Sequence, residues 1–189
     1  MRDDDRPMTQ LTDRYLSTFS GKKFFPFKPD SDQIDIRDIA HGLSLLCRFS
    51  GQTPFLYSVA EHSILVARHL PLDLKLEALL HDAAEAYLAD LPGPLKSVLP
   101  EYSAIEAKVA AVIAHKFHLS HPTPPEVKVA DRALLKHEIF AFFGSKRYLE
   151  DFGDEYQATK PKHFFGMSPI TAEFEFLKLY RNLTTQTVS

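Results

Sequence analysis

The chain has 189 residues, 44% of them hydrophobic and 25% charged, with a formal net charge of −3 at pH 7. That length and apolar content suffice for one buried core, so residues 1–189 read as a single domain whose polar start, residues 1–12, is flexible. The slightly acidic balance and the lack of a dense basic stripe argue against a nucleic-acid partner. No apolar run is long enough to imply a membrane partner, the single Cys47 offers no disulfide framework, and the charged start MRDDDRP lacks the apolar run of a signal peptide, so a cytoplasmic location is expected.

In chain order, residues 21 to 32 read as an extended lead-in, and helices then dominate. Periodicity, caps and breakers place them near 35–48, 59–70, 73–89, 101–118, 126–143 and 169–182, an all-α chain. On the first helix His41, Leu45 and Arg48 are spaced i, i+4, i+7. His41 and Arg48 therefore share a face, and the guanidinium could grip a phosphate bidentately. Before the second helix, Ser58 with Glu61 three residues later forms a capping box. On that helix His62 lies among Val59, Leu65 and Val66 and points inward.

The third helix carries the most information. Between Leu76 and Leu95 stand Glu77, His81, Asp82, Glu85 and Asp90 without a Lys or Arg. His81, Asp82 and Glu85 fall within one arc, with Glu85 one turn past the other two, so all three could touch one small object. A divalent cation would offset the uncompensated charge; an ordinary solvated polar face is the alternative. Pro92 disfavours helical geometry at Leu91, so the chain is expected to leave the helix near Ala89 and turn Asp90 back. His115, His118 and His121 sit near a helix end and are discounted as ligands. On the fifth helix Asp131 is flanked by Val127, Leu134 and Leu135. A carboxylate on an apolar face is costly unless it is paired, for instance with Arg48, or holds a metal. His137 lies off that face and reads as exposed. The phenylalanines of the tail HFFGMSPITAEFEFLKLYRNL read as core packing.

Two histidines and two carboxylates on three helices suit a single octahedral divalent ion that keeps positions for water or substrate. The order His62, then His81-Asp82, then Asp131 resembles the H…HD…D signature of the HD-domain metal-dependent phosphohydrolases. The segments SVAEHS, HDAAEAYLADLPGPLK and KVAD are similar to motifs of the YfbR-like deoxyribonucleotidase branch, over roughly residues 40 to 140. That branch also includes a phage hydrolase of deoxyadenosine triphosphate.

The resemblance implies an HD-domain helical bundle with a metal site between helices. His62, His81, Asp82 and Asp131 would ligate one divalent ion (Mn, Co, Ni, Zn, Fe or Mg), Glu85 would activate the attacking water, and Asp90 would be a second catalytic carboxylate. An Arg-Trp pair that binds phosphate and discriminates deoxyribose in the family aligns with Arg48-Phe49. The exchange of Trp for Phe keeps an apolar face but removes the indole donor. The spacing of 19 residues from His62 to His81 is shorter than in the cellular deoxyribonucleotidases. His41 beside Arg48, and Lys96 in the PxK position, complete the candidate substrate contacts. The small-molecule partner implied is a nucleotide, with a 5′-deoxyribonucleotidase as the leading expectation. A deoxynucleoside triphosphate triphosphohydrolase, which would want further cations such as Lys22, Lys23 and Lys96, is the first alternative. A metal-containing nucleotide-binding regulator without turnover is the second. Members of that family often form homodimers.

Overall fold

The computed structural model describes residues 12–152 and 166–186. The polar start, residues 1–11, and Phe164 and Phe165 of the aromatic tail lie outside the described residues. The extended lead-in is a short antiparallel hairpin of β1 (Leu16–Ser17) and β2 (Lys23–Phe24), with Leu16 opposite Phe24. Asp38 anchors it by accepting from the backbone N–H and the hydroxyl of Ser20 at 2.6 and 2.8 Å. Phe24 is fully buried and stacks on Tyr87 with ring centroids 4.3 Å apart.

Eight α-helices follow among the described residues, so the fold is all-α apart from the hairpin. Helix α1 (Ile36–Leu45) begins at Asp35, whose side chain accepts from the Arg37 N–H. It ends three residues earlier than the pattern predicts, because Leu46, Cys47 and Arg48 pair with Tyr57 to Val59 instead. Arg48 N–H donates to Tyr57 O at 2.9 Å, and Val59 N–H to Leu46 O at 3.0 Å. The helical face expected to join His41 to Arg48 therefore does not form.

Helix α2 (Val59–Arg68) is the centre of the molecule, buried at every residue from Val59 to Ala67 and packed on its neighbours from all sides. Only half of its capping box closes. Ser58 Oγ accepts from the Glu61 N–H at 3.1 Å, but the Glu61 carboxylate turns away to accept from the N–H groups of Gly166 and Met167.

The expected third helix is broken into α3 (Lys75–Leu79) and α4 (Glu85–Leu88), with His81 to Ala84 in tight turns between them. Backbone bonds here close after three residues, as from Glu85 N–H to Asp82 O at 2.9 Å. Helix α4 lies against α1 at a tight approach: a Cβ on Gly42 would stand 3.0 Å from both the Cβ and the carbonyl oxygen of Ala86, so α4 would have to shift to admit it. A short α5 (Gly93–Lys96) precedes α6 (Pro100–Phe117), α7 (Pro125–Phe152, broken at Gly144 with φ 85°) and α8 (Pro169–Gln186). Helix α8 packs on α1, α2 and α3 and buries Phe176 completely, as a core role for the tail phenylalanines requires, but Phe174 on the same helix is exposed, which corrects that expectation for its position. No helix among the described residues is long and apolar enough to cross a membrane.

Candidate metal centre and its surroundings

Three backbone elements aim donors at one point. His62 comes from the middle of α2, His81 and Asp82 from the turn between α3 and α4, and Asp131 from α7. His62, His81 and Asp131 form a group that could hold a metal ion. His62 Nε2 lies 3.0 Å from Asp131 Oδ1, and His81 Nε2 lies 3.9 Å from that same oxygen. Asp82 Oδ2 stands 3.1 Å from His81 Nε2 and 3.8 Å from His62 Nε2. Ligands about 2.1 Å from a common octahedral ion stand roughly 3.0 Å apart when adjacent and roughly 4.2 Å when opposite, and these four separations fall in that range. His62, His81 and Asp131 make the compact group, and Asp82 joins it through its approach to the two imidazoles.

Both imidazoles are oriented from behind. His62 Nδ1 bonds Glu138 Oε1 at 2.6 Å and His81 Nδ1 bonds the Ala78 carbonyl at 2.7 Å, so each ring donates from Nδ1 and turns Nε2 to the shared point. The 3.1 Å approach of Asp82 to His81 lacks hydrogen-bond direction, which leaves His81 Nε2 buried without a hydrogen-bond partner. A buried ring nitrogen among carboxylates, with its other nitrogen already committed, is the donor chemistry of a metal ligand.

The electrostatics agree. Burial opposes protonation of His81, yet Asp82 and Asp131 outweigh it and raise the imidazole to about 9. Burial also acts against the Asp82 carboxylate, but His81, His62 and Arg48 hold it well below the usual range. Glu85 is pushed up to about 10, first by burial and then by Asp82 and Asp90. Asp90 is raised chiefly by burial. Acidic groups thus crowd one another in the pocket, which together with burial disfavours the charged form of Glu85.

Asp131 corrects one expectation. Its side chain is 38% exposed rather than sunk in the apolar face, and Arg48 pairs with Glu138 and approaches Asp82 instead of pairing with Asp131. His41 corrects another: it stacks on Phe19 with centroids 3.9 Å apart and bonds Glu173 at 3.0 Å, so it joins the α1–α8 contact and not the metal group. His137 is half-buried rather than exposed. His115, His118 and His121 are all exposed.

Two clefts lie around the site; one opens on the group, and the other is linked to it through Arg48, whose Nη1 stands 3.9 Å from Asp82 Oδ2. One, of about 460 Å³, is lined by His81, Asp82, Glu85 and Asp131, with Lys96 and Lys128 on its wall. Lys96 Nζ is paired with Glu106 at 2.6 Å. The other, of about 840 Å³, is lined by Arg48, Phe49 and Asp90 together with Leu135, Ile139 and Phe143. Strained backbone borders this second cleft. Phe49 and Ser50 are left-handed, with φ of 54° and 51°. Ala89 adopts φ 75°, ψ 157°, a region almost reserved for glycine, immediately before Asp90. The Tyr102 hydroxyl donates to Ala89 O at 2.7 Å and holds that bend, which is how the chain leaves α4 and returns Asp90 to the site.

Glu138 and Tyr57 are absent from the sequence-based set. Both are fully buried. Glu138 Oε1 accepts from His62 and from the Tyr57 hydroxyl at 2.7 Å, and Oε2 accepts from Arg48 Nη2 at 2.8 Å. Burial works against the Glu138 carboxylate, but Arg48 and His62 hold it down at about 2. A signal existed: Glu138 stands seven residues after Asp131, two turns along the same helical stripe.

A scan against protein-family models finds no match. Two uncharacterized bacterial proteins are similar. Over 124 residues the chain is 45% identical to YfdR of Escherichia coli, covering 66% of this chain and 70% of YfdR. It is 38% identical over 124 residues to a protein of Rhodobacter capsulatus, covering 60% of this chain and 63% of that protein.

Proposed function

This chain belongs to the family of Escherichia coli YfdR, and we propose that it is a cytoplasmic, divalent-metal-dependent phosphohydrolase acting on nucleotides, with deoxyribonucleoside 5′-monophosphates as its substrates. The observation that carries the reading is the convergence of His62, His81, Asp82 and Asp131 on one point, with Glu85 buried in the same cleft and Arg48 on the wall of the adjoining one. When bound there, the ion would act as a Lewis acid on a phosphate oxygen and lower the pKa of water.

The chain's own residues supply the rest. Glu85 lies one turn beyond the ligands; burial and its neighbours Asp82 and Asp90 favour its protonated form, and beside a bound cation its pKa would fall, so that it could take a proton from the attacking water. Arg48, half of whose guanidinium is held by Glu138, offers its remaining donors to a phosphate; its Nε is buried with no hydrogen-bond partner. Asp90, held near Arg48 by the bend at Ala89, is the second carboxylate and shares the cleft where the leaving oxygen would lie. Phe49, which packs edge-on against Phe142 and Phe143, presents an apolar wall to sugar or base.

Charge favours a monophosphate over a triphosphate. Among the described residues the cations lining the two clefts are Arg48, Lys96 and Lys128, and Lys96 is already neutralised by Glu106. Lys22 is engaged with Asp32 O, Ile34 O and Asp35, away from the clefts. A regulator that only binds nucleotides would have no need of Glu85. The test is release of phosphate or triphosphate from ribo- and deoxyribonucleoside mono- and triphosphates, with Mn, Co, Ni, Zn, Fe and Mg each added to metal-stripped protein. Phosphate release from a deoxynucleoside monophosphate is the expected result. Triphosphate release would select the triphosphohydrolase, and nucleotide binding without turnover would select the regulator.

A further inference from the structure

One buried carboxylate is attached to both halves of the site. Glu138 is fully buried, and each of its oxygens has a separate task. Oε1 holds His62 Nδ1 at 2.6 Å and the Tyr57 hydroxyl at 2.7 Å, while Oε2 holds Arg48 Nη2 at 2.8 Å. The same guanidinium reaches toward the metal group, with Nη1 3.9 Å from Asp82 Oδ2, and it lines the larger cleft. Glu138 shares α7 with Asp131, so one rigid helix sets the register between a ligand and the group that orients another ligand. A buried carboxylate is tolerated only with full compensation, and here the compensation consists of three donors, two of which face the cleft or the metal group.

We propose that Glu138 is a positioning residue that couples the metal group to the phosphate-binding arginine: it holds His62 with Nε2 turned to the ion and aims Arg48 into the larger cleft. This rests on the phosphohydrolase reading for the role of Arg48, but its geometry is read by binding alone. Glu138→Gln separates the two tasks. A glutamine has one acceptor oxygen, which serves best where two donors, His62 and Tyr57, converge; its NH₂ then faces the Arg48 guanidinium, donor against donor.

The experiment titrates manganese into metal-stripped full-length protein, then inorganic phosphate into the manganese-loaded protein, by calorimetry. Histidine ¹⁵N spectra of the metal-free protein report the His62 tautomer. In Glu138→Gln, manganese affinity should fall by less than about tenfold and the His62 proton should stay on Nδ1, while phosphate affinity should fall by about tenfold or more. Combined with Arg48→Ala, Glu138→Gln should weaken phosphate no further than Arg48→Ala alone, because the two act through one contact. Wild-type affinities for both ions in Glu138→Gln, or full additivity with Arg48→Ala, would overturn the coupling. So would a wild-type protein that binds manganese but no phosphate. Should Glu138→Gln fail to fold, Arg48→Lys replaces it: charge is kept and the fork is lost, so phosphate affinity should drop, and an unchanged value would overturn the proposal. A protein with both ion responses intact that hydrolyses no nucleotide would reject the enzymatic reading and leave the coupling standing.

Discussion

His62 and His81 bring equivalent ring nitrogens to one centre from opposite kinds of backbone. His62 sits in the middle of α2, completely buried, with a carboxylate behind its ring and regular helix on both sides. His81 sits in tight turns between two short helices, with only a backbone carbonyl behind it and its Nε2 buried without a hydrogen bond. The same contrast extends to the carboxylates nearby. Glu138, on the His62 side, has three donors and stays ionised, at about 2. Glu85, on the His81 side, has a buried oxygen with no hydrogen-bond partner and is pushed up to about 10 by burial and by Asp82 and Asp90. The satisfied half is scaffold; the unsatisfied half is where substrate, water or a cation would complete the polar contacts.

Substitutions that strike the two halves should therefore fail in different ways. The largest effect is expected on the satisfied side: Glu138→Ala removes the carboxylate hydrogen-bonded to the buried Arg48 guanidinium, leaving it the more distant Asp82 at 3.9 Å, and should cost roughly 3–5 kcal/mol of stability in denaturant unfolding. A Glu138→Ala protein as stable as the parent would remove the distinction between the halves. On the unsatisfied side, Glu85→Gln should lower turnover on the order of 10²–10⁴-fold while leaving manganese content and melting temperature unchanged or the latter slightly raised, since a neutral amide replaces an acid that burial already disfavours as an anion. Loss of metal or of fold in that variant would make Glu85 a structural residue like Glu138.

The smallest effect lies outside both halves and calibrates them. Asp35 caps α1 and pairs with Arg37, whose hydrogen bonds hold it at about 2, below its ordinary 3.8. A depressed carboxylate contributes stability above its unfolded pKa and loses it as pH falls through the folded one. Asp35→Ala should thus cost about 1 kcal/mol at pH 7, and the difference from the parent should shrink between about pH 4 and pH 2. A difference that persists unchanged at pH 2 would show that the carboxylate's charge is not the source.

The contrast also explains what could be read in advance. Helices α2, α6 and α8 were legible because apolar periodicity and caps act locally: Ser58 at the start of α2, and prolines at the first positions of α6 and α8. The order of His62, His81, Asp82 and Asp131 pointed to the residues of which His62, His81 and Asp131 form a group that could hold a metal, and Pro92 pointed to the bend before Asp90. Where the reading failed, a distant partner decided. Helix α1 stops short because Leu46 to Arg48 pair with Tyr57 to Val59, so Arg48 parts from His41. The third helix breaks at His81 to Ala84, and no local breaker residue announces it.

By itself the sequence determined the all-α class, the candidate ligands and the excess of acid between Leu76 and Leu95, because residue type and short-range spacing carry those properties. Only the tertiary structure decided that Arg48 belongs to Glu138, that His41 belongs to Glu173, and that one carboxylate holds both a metal-group histidine and the cleft arginine. Those pairings span between 76 and 132 residues of chain, and they exist because a buried charge must find its partner wherever the packed core brings one within hydrogen-bond reach.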